Sequence, residues 1–467
     1  MALTLSGCAG LPASPKTALG FEVPASWSGM PDLPRNTEAS LLEWWGRFND
    51  PLLTGLIEQS LRHNTNVIAA QAALQQARAL RNVAAAALLP VLGSRASVQQ
   101  SRTDKDSSNH FQIGLDASWE LDVFGARRSA VAALDATAQA SAASLGGVQV
   151  SLAAEVALNY LTLRSAQERL AIARVNLSNQ SETLQITRWR LQAGLVTDLE
   201  SEQAFAAHEQ TAALIPALQT TVLQMIHSLS LLTRQPPDAL LAALTPASAV
   251  PQMAVALTLA FPAQTLLQRS DVRAAYYQVQ AAAARLQQAD TARLPGFNLG
   301  GSLGLAALTL GTLTDGASVV ASLLASVSWP VFDGGAGQAQ SDAQRAALQQ
   351  AHASYKSSVL TALGEVEDAL AALRGDQQRQ ARLENAFASA DIAATLASQR
   401  YSSGLVDFQV VLETQRSRLG TQDSLATLRA TVSADHVRLF KALGGGWDPG
   451  IGQPSALPPA PFTTPAS

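Results

Sequence analysis

The stretch from Val156 to Val196 reads VALNYLTLRSAQERLAIARVNLSNQSETLQITRWRLQAGLV, and its spacing decides the architecture. Val156, Leu163, Leu170, Leu177, Leu184 and Leu191 recur at every seventh residue, with Asn159, Ala166, Ala173, Gln180 and Thr187 at the companion position. Such a repeat keeps one seam turned toward a partner helix, as in a coiled coil. The small and polar companions let that partner come close. Extended back to Arg127, the pattern predicts a rod of roughly 95 Å. It stops at Ala193-Gly194-Leu195-Val196, where glycine supplies the left-handed residue a helix end often needs. A compact domain has no use for a rod of that length.

Before the rod the period changes. Phe111, Ile113, Leu115, Ala117, Trp119, Leu121 and Val123 alternate with Gln112, Gly114, Asp116, Ser118, Glu120 and Asp122, which predicts a strand. Val91 to Gln99 reads as a weaker strand, and Ser101 to Asn109 as the polar loop between the two. Further upstream, Asp50-Pro51 opens a helical block that runs to Leu89-Pro90, with the aspartate as N-cap and proline in the first turn. After the rod a returning helix carries Leu214, Leu218, Val222, Met225, Leu229 and Leu232, and ends at Gln235-Pro236-Pro237.

The same order then recurs. A helix from about Ala263 to Arg293 ends at Leu294-Pro295. Phe297 to Leu305 and Leu323 to Val331 alternate as strands around the Asp315-Gly316 turn. A second rod runs from about Gln338 to Tyr401, with a polar gap at Gln377 to Gln380. It turns at Ser403-Gly404-Leu405-Val406, and a final helix with Leu425, Leu428, Val432 and Leu439 ends at Gly444-Gly445-Gly446. Trp119 matches Trp329, and Arg190 with Gly194-Leu195-Val196 matches Arg400 with Gly404-Leu405-Val406, all offset by 210 residues. This register predicts a tandem duplication.

The 467 residues are 47% hydrophobic and 15% charged, with a net charge of −4, which gives no reason to expect nucleic acid. No run of eighteen apolar residues occurs, so no transmembrane helix is predicted. The strands are long enough to cross a bilayer, with an apolar face for lipid and a face bearing Asp116, Glu120 and Asp122 for water. Four strands cannot close a membrane barrel, and open edges cannot sit in lipid. The chain is therefore expected to oligomerise.

These features resemble the TolC-like outer-membrane efflux proteins, and within them the lipidated NodT-type subgroup. The resemblance spans nearly the whole chain. It rests on Leu5-Ser6-Gly7-Cys8, Trp44-Trp45 with Phe48 and Asp50-Pro51-Leu52, Trp119 through Gly125, Trp329 through Gly335, and the paired Gly-Leu-Val turns. It implies an α+β membrane protein: a long α-helical coiled-coil barrel continued by a transmembrane β-barrel, built from two tandem structural repeats. The implied assembly is a homotrimer in outer-membrane lipid of a Gram-negative bacterium, meeting a periplasmic adaptor and an inner-membrane pump of the resistance-nodulation-division type. The implied divisions are a lipid anchor and tether (1–35), an equatorial and helical segment (36–90), a first transmembrane hairpin (91–124) and a first long helical hairpin (125–235). An equatorial connection (236–262), a second-repeat helix (263–295), a second transmembrane hairpin (296–332), a second long helical hairpin (333–446) and a disordered tail (447–467) follow. Cys8 is the expected lipidation site, and a leader is expected to precede Met1, since Met1 to Thr4 is too short for one.

The family places a gate at the periplasmic tip. The matching positions are Arg400 and Tyr401, with Asp198 and Asp407 as acidic partners; solvated charges at a helix end are the plainer alternative. The resemblance also implies that Gly194, Leu195 and Val196, with Gly404, Leu405 and Val406, dock the adaptor, which is compatible with simple helix capping. No enzyme, cofactor or metal is expected. The six histidines lack paired spacing, and no Gly-x-Ser-x-Gly elbow occurs. Phe332 to Gly337 lacks the full dinucleotide-loop pattern and reads as a strand-to-helix turn. Glu365, Glu367 and Asp368 read as a solvated helix face. The expected function is passive export of small molecules; a duct for secreted polypeptides and a pore-free periplasmic scaffold are the alternatives.

Overall fold

In the computed structural model, residues 41–104, 106–253 and 268–448 are described, together with Pro24, Trp27 and Leu266. Cys8, the tether, the connection through Phe261-Pro262, the start of the helix at Ala263 and the tail beyond Asp448 lie outside the described residues.

Two helices of 67 residues dominate: α3 (Ala126–Gln192) and α7 (Ala336–Ser402). At about 1.5 Å per residue each is roughly 100 Å long. Two of 35 residues return alongside them: α4 (Asp198–Leu232) and α8 (Phe408–Ala442). The strand-side half of α3 packs between α2 (Thr65–Ala86) and α6 (Ser270–Thr291), and α6 packs in turn on α7. In the other half, α4 and α8 both flank α3, and α7 lies on α8. The predicted seam is the buried one. Val156, Leu163, Leu170 and Leu184 are buried, as are Ala166, Ala173, Gln180 and Thr187. The polar gap of α7 does not break the helix. Two ion pairs to α8, Glu384–Arg429 at 3.8 Å and Asp391–Arg418 at 2.8 Å, follow it on the side toward the turn.

The helical block at residues 50–90 is two helices, α1 (Pro51–His63) and α2. Asn64 divides them: it is extended, and its side chain accepts the Asn66 N–H at 2.8 Å while donating to the Leu232 carbonyl at 3.0 Å. Asp50 caps α1 by accepting the N–H groups of Leu52 and Leu53. Its other oxygen takes the Tyr160 hydroxyl at 2.6 Å. Burial and this carboxylate push Tyr160 up to about 12. The ring also lies 4.9 Å from the guanidinium of the buried Arg164, which donates to Gln167 and to the Pro246 carbonyl. Around this network Trp44, Trp45, Phe48, Leu53 and Ile57 form one core with Leu161, Leu229, the short α5 (Leu241–Leu244) and Phe440.

The four strands form a single antiparallel sheet in the order β1 (Val91–Thr103), β2 (Asp106–Leu121), β3 (Gly296–Ala307), β4 (Val319–Ser328). The predicted loop at Ser101 to Asn109 is instead strand, because Thr103 pairs with Asp106 and the ladder runs unbroken to the turn. Trp329 and Val331 fall beyond β4, where Pro330 ends the ladder. The register keeps the apolar face continuous. Ile113 opposes Ala96 and Leu305, Leu115 opposes Leu303, and Leu303 opposes Ala321. On the other face Asp116 opposes Ser302, which bonds Ser322 at 2.8 Å. Gly114 and Gly304 meet with no room for a Cβ on either.

The sheet joins the rods through two similar junctions. The indole of Trp119 donates to the Leu88 carbonyl at 2.9 Å, and that of Trp329 to the Arg293 carbonyl at 3.2 Å. Gly125 and Gly335, both left-handed, start the rods. Asp122 accepts the N–H groups of Arg127 and Arg128, and Asp333 those of Gly335 and Gly337. Asp333 thus makes Phe332 to Gly337 a capped strand-to-helix turn.

Three further expectations change. Glu365 is no free surface charge: it accepts from Arg269 at 2.7 Å, because that buried guanidinium needs carboxylates, Asp271 being the other. The tail is not disordered from 447. Trp447 is buried, donates to the Gln268 carbonyl at 3.1 Å and lies flat against Gly146 of α3, where any Cβ would collide with it. Finally, α3 and α4 are long and apolar enough, by length and composition, to cross a membrane. Their alanines raise the average without making an unbroken apolar run. The α3 window is mostly buried, whereas that of α4 lies largely exposed in the single chain.

Candidate functional site

Two regions are candidates for function: the turns at the ends of the rods far from the sheet, and the sheet itself. Both turns have the same hydrogen-bond pattern. Leu195 N–H reaches the Arg190 carbonyl at 2.8 Å and Gly194 N–H that of Leu191 at 2.9 Å. Leu405 and Gly404 repeat this on Arg400 and Tyr401 at 2.9 and 3.0 Å. Gly194 and Gly404 share φ 71°. These are Schellman ends, which place an apolar residue just past the glycine. Leu195 and Leu405 are 74% and 73% exposed, so each turn presents one leucine outward.

Tyr401 stands at the centre of the contacts here. Its ring is 5.4 Å from that of Phe408, in a small cluster with Leu184, Ala204, Ala397 and Val411. The Arg190 guanidinium lies 4.5 Å from the centre of the ring and donates to the Ser402 carbonyl at 3.4 Å. This joins the end of one rod to the end of the other. The Tyr401 hydroxyl is buried without a hydrogen-bond partner. Arg400, Asp198 and Asp407 are exposed, and among the described residues none of them forms an ion pair within the protomer. Asp198 only opens α4, where the Glu200 side chain accepts the Thr197 N–H at 3.0 Å.

The expected set is therefore brought together in part: Tyr401 is gripped, Arg400 is not, and the gripping residue is Arg190. The signal for Arg190 was in the repeat register, which puts it at the same height as Arg400. What was missing was that the two ends touch.

At the other end the polar face of the sheet carries Arg95 and Asp116 on neighbouring strands, 3.6 Å apart. Next to the rods, Glu120 pairs with Arg127, and Asp122 with Arg128 at 3.0 Å. Among the described residues nothing covers the apolar face: Ile113, Leu115, Leu303, Leu323 and Val327 are all exposed. Among the described residues no cluster of His, Cys, Asp and Glu is arranged to hold a metal ion.

The chain is similar to known proteins along most of its length. The outer membrane efflux protein family matches residues 56–233 and 261–445. The toluene efflux pump outer membrane protein TtgF of Pseudomonas putida is 31% identical over 433 residues, covering 90% of this chain and 89% of that protein. The pyoverdine export outer membrane protein OpmQ of Pseudomonas putida is 32% identical over 471 residues, covering 96% of each. The outer-membrane channel OprN superposes with a TM-score of 0.86 at 33% identity, over 91% of this chain and 98% of that one. With its paired rods, open sheet and matched turns, the chain belongs to the outer membrane efflux protein family.

Proposed function

We propose that this chain is one subunit of a homotrimeric outer-membrane channel, the passive exit duct of a tripartite efflux assembly for small molecules. The observation that carries this is the four-stranded sheet, with a register-matched apolar face bare of any core and both outer strands unpaired. Unpaired edges are not tolerated in lipid, and the smallest membrane barrels have eight strands. Three copies would bring twelve strands and close the ring. The names of TtgF and OpmQ, which speak of toluene efflux and pyoverdine export, support the reading. The two halves are then tandem repeats, each supplying two strands of the barrel and one rod-and-return pair of a helical tunnel.

In this reading Cys8 carries the lipid that anchors each subunit in the outer membrane. The turns at Gly194-Leu195-Val196 and Gly404-Leu405-Val406 receive a periplasmic adaptor, their exposed leucines being the contact. An inner-membrane pump of the resistance-nodulation-division type supplies the energy, and the chain itself performs no catalysis. Tyr401, held by Arg190, closes the tip; Arg400, Asp198 and Asp407 meet partners across the subunit boundary. The test is the mass and pore activity of the detergent-purified protein. A trimer that conducts weakly in planar bilayers, and more strongly after Tyr401→Ala, is the expected result. A water-soluble monomer without conductance would overturn the proposal.

A further inference from the structure

Asp116, Glu120 and Asp122 each meet an arginine on or beside the polar face of the sheet. Glu120 and Asp122 pair with Arg127 and Arg128, which belong to the start of α3. Asp116 pairs with Arg95, which belongs to β1 and anchors no helix. Register sets this third couple apart. Arg95 stands opposite Gly114 and Asp116 opposite Gly93, so each charged chain faces a glycine across the strands and reaches the other on the diagonal. The next strands continue the bare floor. Ser302 opposes Asp116, Gly304 opposes Gly114, and Ser322 opposes Ser302. Arg95 Nε and Asp116 Oδ2, 3.6 Å apart and on exposed side chains, therefore stand up from neighbours no larger than serine. An exposed pair of this kind contributes at most about 1 kcal/mol to folding. Stability is a weak reason for two long charged chains at that place.

We infer that Arg95 and Asp116 form a charge-balanced collar that sets the ion preference of the barrel's bore. In the trimeric channel, the reading on which this rests, three such couples circle the lumen at one height. A ring of one sign would draw in counter-ions and bar the opposite kind, whereas a ring of paired signs does neither. A carboxylate on a passing solute can take the guanidinium of Arg95 as Asp116 lets go, and an ammonium can take Asp116. At an exposed pair that exchange costs little. The solutes that fit such a collar are small molecules carrying both charges or none.

Reversal potentials under a KCl gradient in planar bilayers test this, on the full-length protein with Tyr401→Ala in the background so that the tip is not the main barrier. Arg95→Gln leaves the three carboxylates bare. It should raise the K⁺ over Cl⁻ permeability ratio about threefold or more in about 0.1 M salt, where the Debye length is about 10 Å. Asp116→Asn should lower the ratio by a similar factor, and the double variant should return to the background value. Arg102→Gln removes the same charge from the other face of β1 and should leave the ratio unchanged. A pair that only held β1 to β2 would move the melting temperature and not the ratio. Conducting channels with an unchanged ratio in both single variants, or an equal shift from Arg102→Gln, would overturn the collar and leave the channel reading standing. A protein that never conducts would overturn both.

Discussion

The two returning helices α4 and α8 have the same length and begin 210 residues apart, at Asp198 and Phe408, yet they occupy opposite situations. α8 lies between α7 and α3 and buries a side chain in nearly every turn from Leu425 to Ala442. α4 rests on α3 and leaves Leu199, Phe205, Leu214, Leu223 and Leu231 exposed. The rods show the converse: α3 is enclosed on both sides, whereas α7 forms an outer edge. One half of the protomer thus has its returning helix inside and its rod at the margin, and the other half the reverse. The lesson is that equal patterns in sequence need not mean equal burial. Similar sequence patterns give similar elements, and the neighbours each element meets decide which of its faces are covered.

The two returning helices differ most at the tip. Phe408 is fully buried, while Asp198 at the matching position is exposed. Phe408→Ala should cost about 3–5 kcal/mol in denaturant unfolding, and Asp198→Ala less than about 0.5 kcal/mol. Similar losses would mean that the two tips are equivalent after all. The two faces of β2 give the next largest contrast. Ile113→Arg should weaken membrane assembly by about 2–4 kcal/mol if it lies near the bilayer midplane, and Gln112→Arg much less. Trimer yield on native gels measures both.

The junctions differ more gently. Asp122→Asn removes a carboxylate acceptor for two N–H groups at the start of α3 and should cost about 1 kcal/mol, as lost caps do. Urea melts of wild type and the variant at one pH measure the loss. The smallest effect belongs to Arg190→Ala, which removes the contact with the Tyr401 ring, worth about 0.5–1 kcal/mol at an exposed site. Bilayer conductance should rise, whereas Arg400→Ala, whose side chain makes no ion pair among the described residues, should change the stability of the single chain little.

Much of this was legible before any coordinates. The rods, turns and hairpins follow from periods of seven and two, and the Gly-Leu-Val turns from the left-handed residue a helix end takes. Cues that depend on a partner far along the chain were not legible. Glu365 looks like surface until Arg269, many residues earlier, is seen to need it. Arg190 resembles any terminal helix charge until Tyr401 comes beneath it. Asn64 was a missed local signal, since asparagine between two helical runs is a good cap. The loop expected at Ser101 to Asn109 failed because polar residues also suit a strand whose faces both meet water.

The seat that Gly146 offers Trp447 ties the middle of the first rod to residue 447. Gly146 and Gly147 weaken α3 in its interior, and the indole that covers the first of them arrives near the end of the described chain. Contacts so far apart in sequence cost loop-closure entropy and slow folding. A polypeptide interrupted anywhere before Trp447 would leave that side of α3 bare and the Gln268 carbonyl without its donor. A fragment cut before Trp447, however well its rods form, therefore displays a surface of α3 that the indole otherwise hides.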